Sequence, residues 1–167
     1  MVQQAGDREA PRFICDEMLV QLGHWLRAAG YDTLIARHRA QDRSLVARAT
    51  IDGRILLTRD RKLGEIRDAA DCAILLRGET IAEWVYELTP RLRIDWMLRP
   101  FSRCLVCNTV LEPAPELARA RLPPAVLEEV PEINYCRQCD KLYWAGGHVR
   151  RMLRQLRAWR GVDAGGP

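Results

Sequence analysis

Two cysteine pairs restrict this chain more than any other feature. Cys104 and Cys107 form one CxxC, Cys136 and Cys139 a second, and 28 residues lie between the pairs. Two residues between cysteines let the backbone curl so that both thiolates reach one ion. Four soft thiolates at tetrahedral corners suit Zn2+ and leave no open position, so such a site is structural. Two thioredoxin-like redox pairs, thiols without metal, and an Fe–S cluster are the alternatives. The segment lacks the thioredoxin context and the tight cysteine runs that the first and last of these use. Prolines at 113, 115, 123, 124 and 131 break the stretch between the pairs. A metal clip would order a segment with so little core of its own. The other two cysteines, Cys15 and Cys72, stand in apolar runs and are expected as buried small hydrophobes.

The 167 residues are 48% hydrophobic and 29% charged, which excludes a disordered chain and suits one domain with a small appendage, or two small domains. No stretch is long and apolar enough to cross a bilayer. Met1 to Ala10 is polar and mixed in charge, so no signal peptide is expected there and the expected location is cytoplasmic. The net charge is +4, and of 26 basic residues only Lys62 and Lys141 are lysines. An arginine-rich chain reflects either coding bias or phosphate contact, since a guanidinium binds phosphate through two parallel hydrogen bonds.

Up to about residue 90 strand-like and helix-like segments alternate, which argues for a parallel α/β sheet. Phe13–Cys15 reads as a strand. Met18, Leu19, Leu22, Trp25, Leu26 and Ala29 then recur at helical spacing, and Gly30 is a helix stop. Tyr31–Ala36 is a second strand. Ser44 reads as the N-cap of a helix that carries Leu45, Val46 and Ala49 and stops at Gly53. Arg54–Thr58 and Cys72–Leu76 are buried strands, with a helix near Leu63–Ala69 between them. A last helix, Thr80–Leu88, closes the unit before Pro90, and Arg91–Pro100 joins the halves without an assignment. After Phe101 and the cysteine segment, His148–Arg160 places Val149, Met152, Leu153, Leu156 and Trp159 on one helical face and arginines on the rest.

Ligands of a parallel α/β sheet gather outside the carboxyl ends of its strands. Asp16 and Asp60 fall at such ends, and Asp42 precedes the Ser44 helix start. Carboxylates brought together there repel unless a cation or a shared proton lies between them, and hard oxygen ligands suit Mg2+ or Mn2+. Aspartates at strand ends are also ordinary helix caps. His148 reads as a cap of the last helix or a phosphate contact, and Trp144 or Tyr143 as a base-stacking or core residue.

The runs Arg12-Phe13-Ile14-Cys15-Asp16-Glu17-Met18-Leu19, Trp25-Leu26-Arg27-Ala28-Ala29-Gly30-Tyr31-Asp32-Thr33 and Gly53-Arg54-Ile55-Leu56-Leu57-Thr58-Arg59-Asp60-Arg61 resemble the Mut7-C family. Arg103-Cys104-Leu105-Val106-Cys107-Asn108 and the run from Cys136 to His148 resemble its zinc ribbon. The likeness extends from Arg12 to about Leu156. It implies a PIN-like nuclease domain over residues 11–95, a parallel sheet flanked by helices, followed by a small zinc ribbon with a basic helix over 101–160. It further implies a metal-dependent ribonuclease in which Asp16, Asp42 and Asp60 hold Mg2+ or Mn2+ and Thr58 orients the cluster. A fourth acid, frequent in PIN domains, has no matching position; Asp71 and Asp95 are its candidates. Arg59, Arg61, His148, Arg150, Arg151 and Arg154 are the expected contacts to single-stranded or structured RNA, with a protein or ribosome as a further partner. The rival expectation is an RNA- or ribosome-binding module whose acids no longer catalyse. A toxin-like nuclease with an antitoxin ranks below both, because toxins of the PIN type usually lack a zinc ribbon.

Overall fold

The computed structural model describes residues 10–36, 42–64, 66 and 69–161. In the first half four short apolar runs become strands: β1 (Phe13–Cys15), β2 (Thr33–Ile35), β3 (Ile55–Thr58) and β4 (Ala73–Leu75). They pair in parallel in the order β2-β1-β3-β4, with Phe13 opposite Thr33 on one side and Ile55 on the other. Parallel strands need crossover connections. α1 (Val20–Ala29) joins β1 to β2 and α2 (Asp42–Asp52) joins β2 to β3; the short α3 (Arg61–Gly64) follows β3 and α4 (Ile81–Leu92) follows β4.

Side chains alternate along a strand. Phe13, Cys15 and Leu57 therefore enter one buried cluster with Leu22 and Leu26 of α1 and Val85 and Leu88 of α4. Ile14 and Leu56 enter a second, with Val46 and Ala49 of α2 and Leu63 of α3. Helices cover both faces, which is why the strands read as unbroken apolar runs. The α/β class expected from the alternation is the class observed.

α1 stops at Gly30, as its sequence indicates. Gly30 has φ 103, its N–H returns to the Arg27 and Leu26 carbonyls, and an added Cβ would lie 2.4 Å from the Arg99 carbonyl oxygen. Other boundaries shift. α2 begins at Asp42, so Ser44 is its third residue rather than its cap. α4 runs beyond Leu88 to Leu92 with Pro90 inside it. A capping box anchors its start, Thr80 Oγ1 accepting from Glu83 N and the Glu83 carboxylate from Thr80 N. Pro90 falls in the last turn, where its missing N–H removes a single bond. The unassigned stretch Arg91–Pro100 closes the core: Arg93 turns the chain at φ 52, and Trp96 is completely buried with Nε1 donating to Thr89 Oγ1 at 2.8 Å. The helix expected near Leu63–Ala69 lies partly outside the described residues. Cys15 is buried as expected, whereas Cys72 is only half-buried.

The second half holds an antiparallel sheet, β5 (Glu112–Pro113), β6 (Ile133–Cys136) and β7 (Lys141–Trp144), in that order, with two short helices, α5 (Glu116–Arg119) and α6 (Pro124–Glu129), between β5 and β6. α7 (Gly147–Arg160) follows. Its apolar face is the one read from the sequence. Leu156 and Trp159 join the first buried cluster, with Val149, Met152 and Leu153 packed against it. Trp159 meets Trp25 of α1 edge-on at 4.7 Å between ring centres and Trp96 at 5.1 Å. Side chains from residues 11–95 and 101–160, expected as two units, thus meet in one apolar cluster. Among the described residues no helix is long and apolar enough to cross a membrane.

Candidate functional site

From β1 the chain moves to β2 on one side, then returns to place β3 on β1's other side. The strand order reverses between β1 and β3, and the crevice beyond the carboxyl ends of such strands is where open parallel sheets bind ligands. Asp16 follows β1 and Thr58 ends β3. Their side chains meet across this gap, the Thr58 hydroxyl donating to Asp16 Oδ2. Arg59 N donates to the same oxygen at 3.1 Å. Asp16 Oδ1 accepts from Met18 N at 2.9 Å and Leu19 N at 3.1 Å, capping the 3-10 turn Glu17–Leu19. The buried Asp16 carboxylate therefore carries two donors on each oxygen.

Thr58 Oγ1 also accepts from Asp60 N at 2.9 Å, which extends the chain of contacts from Asp16 through Thr58 to Asp60. Asp60 Oδ1 caps α3 by accepting from Lys62 N at 2.9 Å, and among the described residues no donor reaches its second oxygen. Both aspartates are thus helix caps, one of the two roles their positions allow. Asp42 opens α2, and its side chain lies outside the described residues. Asp71 and Asp95 do not belong to this edge. Asp71 precedes β4, and Asp95 N donates to the Tyr31 hydroxyl at the entry to β2, both at the amino end of the sheet. A further acid near this edge, which the sequence pattern does not single out, is Glu79. It lies in the loop after β4 and lines a cleft with Arg59 and Arg61. In sequence its place just before Thr80 reads as part of a helix start; only the β4–β3 pairing brings it to this edge.

The four paired cysteines converge. Their Sγ atoms all lie within 4.8 Å of one another, with Cys107 Sγ 3.4 Å from Cys136 Sγ. A tetrahedron with Zn–S bonds of about 2.3 Å has corners about 3.8 Å apart, so the donor set fits zinc in number, chemistry and spacing. Both pairs share one cluster, which is the geometry of one site and not of two separate redox pairs. Among the described residues it is the single group of three or more metal-capable side chains. Tyr143 is more than a core residue: its hydroxyl lies 3.1 Å from Cys104 Sγ and accepts from Leu105 N. Thr109 Oγ1 lies 3.2 Å from Cys107 Sγ. Such neighbours orient the ligands. His148 stays outside the cluster. Nor is it a cap, because Gly146 holds the N-cap position of α7.

A buried arginine fastens the first cysteine knuckle to the sheet. Arg27 of α1 is 4% exposed; its Nε donates to the Thr33 carbonyl and Nη1 to the carbonyls of Leu105 and Val106, all at 2.8 Å. Burial lowers its pKa, while the neighbouring sulfurs of Cys15, Cys104 and Cys107 and the Asp32 carboxylate pull the other way. Asn108, at φ 71 just past Cys107, accepts from Thr33 N at 3.0 Å and donates to Asp32 Oδ1 at 2.7 Å. Asp32 in turn takes both arms of the Arg54 guanidinium, at 2.7 and 3.1 Å. Burial raises the Asp32 pKa, but the bonds from Arg54 and Asn108 prevail and hold it below the ordinary value. All of this lies at the amino end of β2, opposite the edge that carries Asp16 and Asp60. Arg59 and Arg61 flank Asp60. His148, Arg150, Arg151 and Arg154 are exposed on α7, and among the described residues the three arginines have no ion pair.

The family model of the Mut7-C RNAse domain matches residues 11–156. The chain belongs to this family. The match spans the parallel sheet, the cysteine cluster and α7 as far as Leu156. Membership suggests nuclease-like function, with RNA as the implied substrate, and the four-cysteine cluster is compatible with structural zinc. No curated protein and no solved structure matches the chain.

Proposed function

We propose that this Mut7-C chain is a metal-dependent ribonuclease that hydrolyses RNA phosphodiester bonds at the β1–β3 crevice. The observation that carries the reading is the linked set Asp16–Thr58–Asp60 at the strand-order reversal, in a chain of an RNAse-domain family. Hard oxygen donors at one edge fit Mg2+ or Mn2+. Asp60, through its open oxygen, and Asp16, through the oxygen that Thr58 contacts, would hold the cation together with Asp42. When bound, the ion polarises a phosphate and lowers the pKa of water.

The protein's own groups do the rest. Thr58 fixes the two aspartates relative to each other, and the rigid capping bonds around Asp16 keep that arrangement in the absence of substrate. Arg59 and Arg61 hold the RNA backbone next to Asp60. His148, Arg150, Arg151 and Arg154 track phosphates further along, with affinity that falls as salt rises. The zinc cluster fixes the ribbon and so the start of α7.

The test is cleavage of labelled single-stranded and hairpin RNAs by the purified chain with Mn2+ added or with no divalent cation added, beside Asp60→Asn. Cleavage is expected to need the cation and to vanish in the variant while its circular dichroism stays unchanged. Equal cleavage by the variant would sink the site. One observation favours a second reading, an RNA- or ribosome-binding module without turnover: both oxygens of Asp16 already have two protein donors each. That reading is the one to adopt if wild type binds RNA tightly and salt-sensitively yet releases no product.

A further inference from the structure

β4 lies next to β3 in the sheet, so the loop after Leu75 comes to the edge that carries Asp60. Arg77 and Glu79 of this loop, with Arg59, Arg61, Leu75 and Leu76, line a cleft of about 500 Å³. Three guanidinium groups and one carboxylate line it. Two acids of α4 stay charged beside it, but their oxygens accept from main-chain N–H groups and form no ion pair with these guanidinium groups among the described residues. Glu87 accepts from Arg77 N at 3.1 and 3.0 Å and from Gly78 N at 2.5 Å. Glu83 accepts from Glu79 N at 2.6 Å and Thr80 N at 3.0 Å. Those two bonds lead the set that draws the Glu83 pKa down, with Arg59 adding a smaller pull.

The loop is held from its other side as well. Trp84 Nε1 donates to the Gly78 carbonyl at 2.7 Å, and a Cβ on Gly78 would lie 2.5 Å from that of Glu83. Arg59 is steadied by the same indole, its guanidinium carbon 5.7 Å from the ring centre. Every main-chain N–H from Arg77 to Thr80 is bonded, and among the described residues the side chains of Arg59, Arg61 and Arg77 have no ion pair. A rigid cleft with unpaired guanidinium groups and a leucine floor suits an anion, and a guanidinium matches phosphate with two parallel bonds.

We propose that this cleft is a phosphate subsite, in which Arg77, with Arg59 and Arg61, takes the backbone phosphate of a nucleotide adjoining the one hydrolysed. The choice of RNA as ligand rests on the ribonuclease reading; the anion site itself rests on the cleft.

The test measures binding of a short fluorescent single-stranded RNA by anisotropy at several salt concentrations, in buffer without Mg2+ or Mn2+ and without a chelator that would strip the cysteine cluster, so that cleavage does not enter. Arg77 is exposed and its structural bonds come from its main chain, so Arg77→Ala keeps them. Arg77→Ala is expected to weaken binding roughly tenfold at low salt and to reduce the salt slope by about 0.7, the value for one phosphate contact on a single strand. Arg77→Lys is expected to retain the slope. Arg48→Ala, which removes a surface pair with Asp52 within α2 and does not line the cleft, should match wild type. Inorganic pyrophosphate, followed by calorimetry, is the second probe. If Arg77→Ala equals wild type in RNA affinity and slope, the subsite is overturned and the nuclease reading stands. If wild type binds no RNA but binds pyrophosphate in a manner that Arg77→Ala abolishes, the anion site stands and the RNA reading falls. Binding of neither probe overturns both.

Discussion

Asp32 is held by the Arg54 fork and the Asn108 amide, both of which favour its charged form. A carboxylate whose folded pKa is depressed adds stability above its ordinary value, about 3.9, and loses that contribution as pH falls from there through the lower folded value. The stability difference between wild type and Asp32→Asn should therefore be widest near neutral pH and close on acidification below about pH 4. Urea unfolding at matched pH values reads this directly, and a gap that stays constant would mean that the ion pair does not carry it. In the sequence Asp32 was visible only as one member of a family-like run, because its partners come from residues 54 and 108. Asp16 and Asp60 were legible for the opposite reason: a strand end is a local feature. That Glu79 and Arg77 share a cleft with Arg59 and Arg61 was not legible, since it depends on β4 lying beside β3. Residue type alone does not reveal that Asp71 and Asp95 lie at the amino end of the sheet, away from Asp16 and Asp60.

At the scale of elements, Arg27 joins α1, β2 and the first cysteine knuckle through three carbonyls. The bonds to Leu105 and Val106 fix the backbone between two cysteines of the cluster that is compatible with zinc, so a change in Arg27 should be felt by a metal bound there. Arg27→Met is expected to lower zinc affinity by about 10- to 100-fold, the usual consequence of losing a residue that orients metal ligands. Competition with a chromophoric chelator measures it, and unchanged affinity would show that the knuckle is fixed by Asn108 and Tyr143 alone. The helices themselves show where local rules suffice. Gly30 ends α1 because no other residue tolerates both its φ and the approach of Arg99. Pro90 did not end α4, because proline disrupts a helix interior far more than a final turn. Arg91–Pro100 resisted assignment since Trp96 is held by tertiary burial, which leaves no period to read.

Across the whole molecule, the apolar cluster under α1 and α4 is completed by Leu156 and Trp159 from the far end of the chain. Truncating a buried tryptophan to alanine costs about 3–5 kcal/mol, so Trp159→Ala should lower the stability of the parallel-sheet half as well as of α7. Unfolding of the zinc-loaded chain, followed both by far-ultraviolet circular dichroism and by tryptophan fluorescence, is expected to give one coincident transition. Two separated transitions would show that the halves unfold independently despite the Trp25–Trp159 and Trp96–Trp159 contacts.

That packing also sets an order in time. A ribosome delivers β1 to β4 and the helices around them well before α7, and segments that can fold during synthesis generally do so from the amino end. Here Trp25 and Trp96 must wait for Trp159. The nascent sheet is thus complete in strands long before it is complete in packing, and the apolar surface that Leu156 and Trp159 cover stays open until the latest of the described helices has emerged.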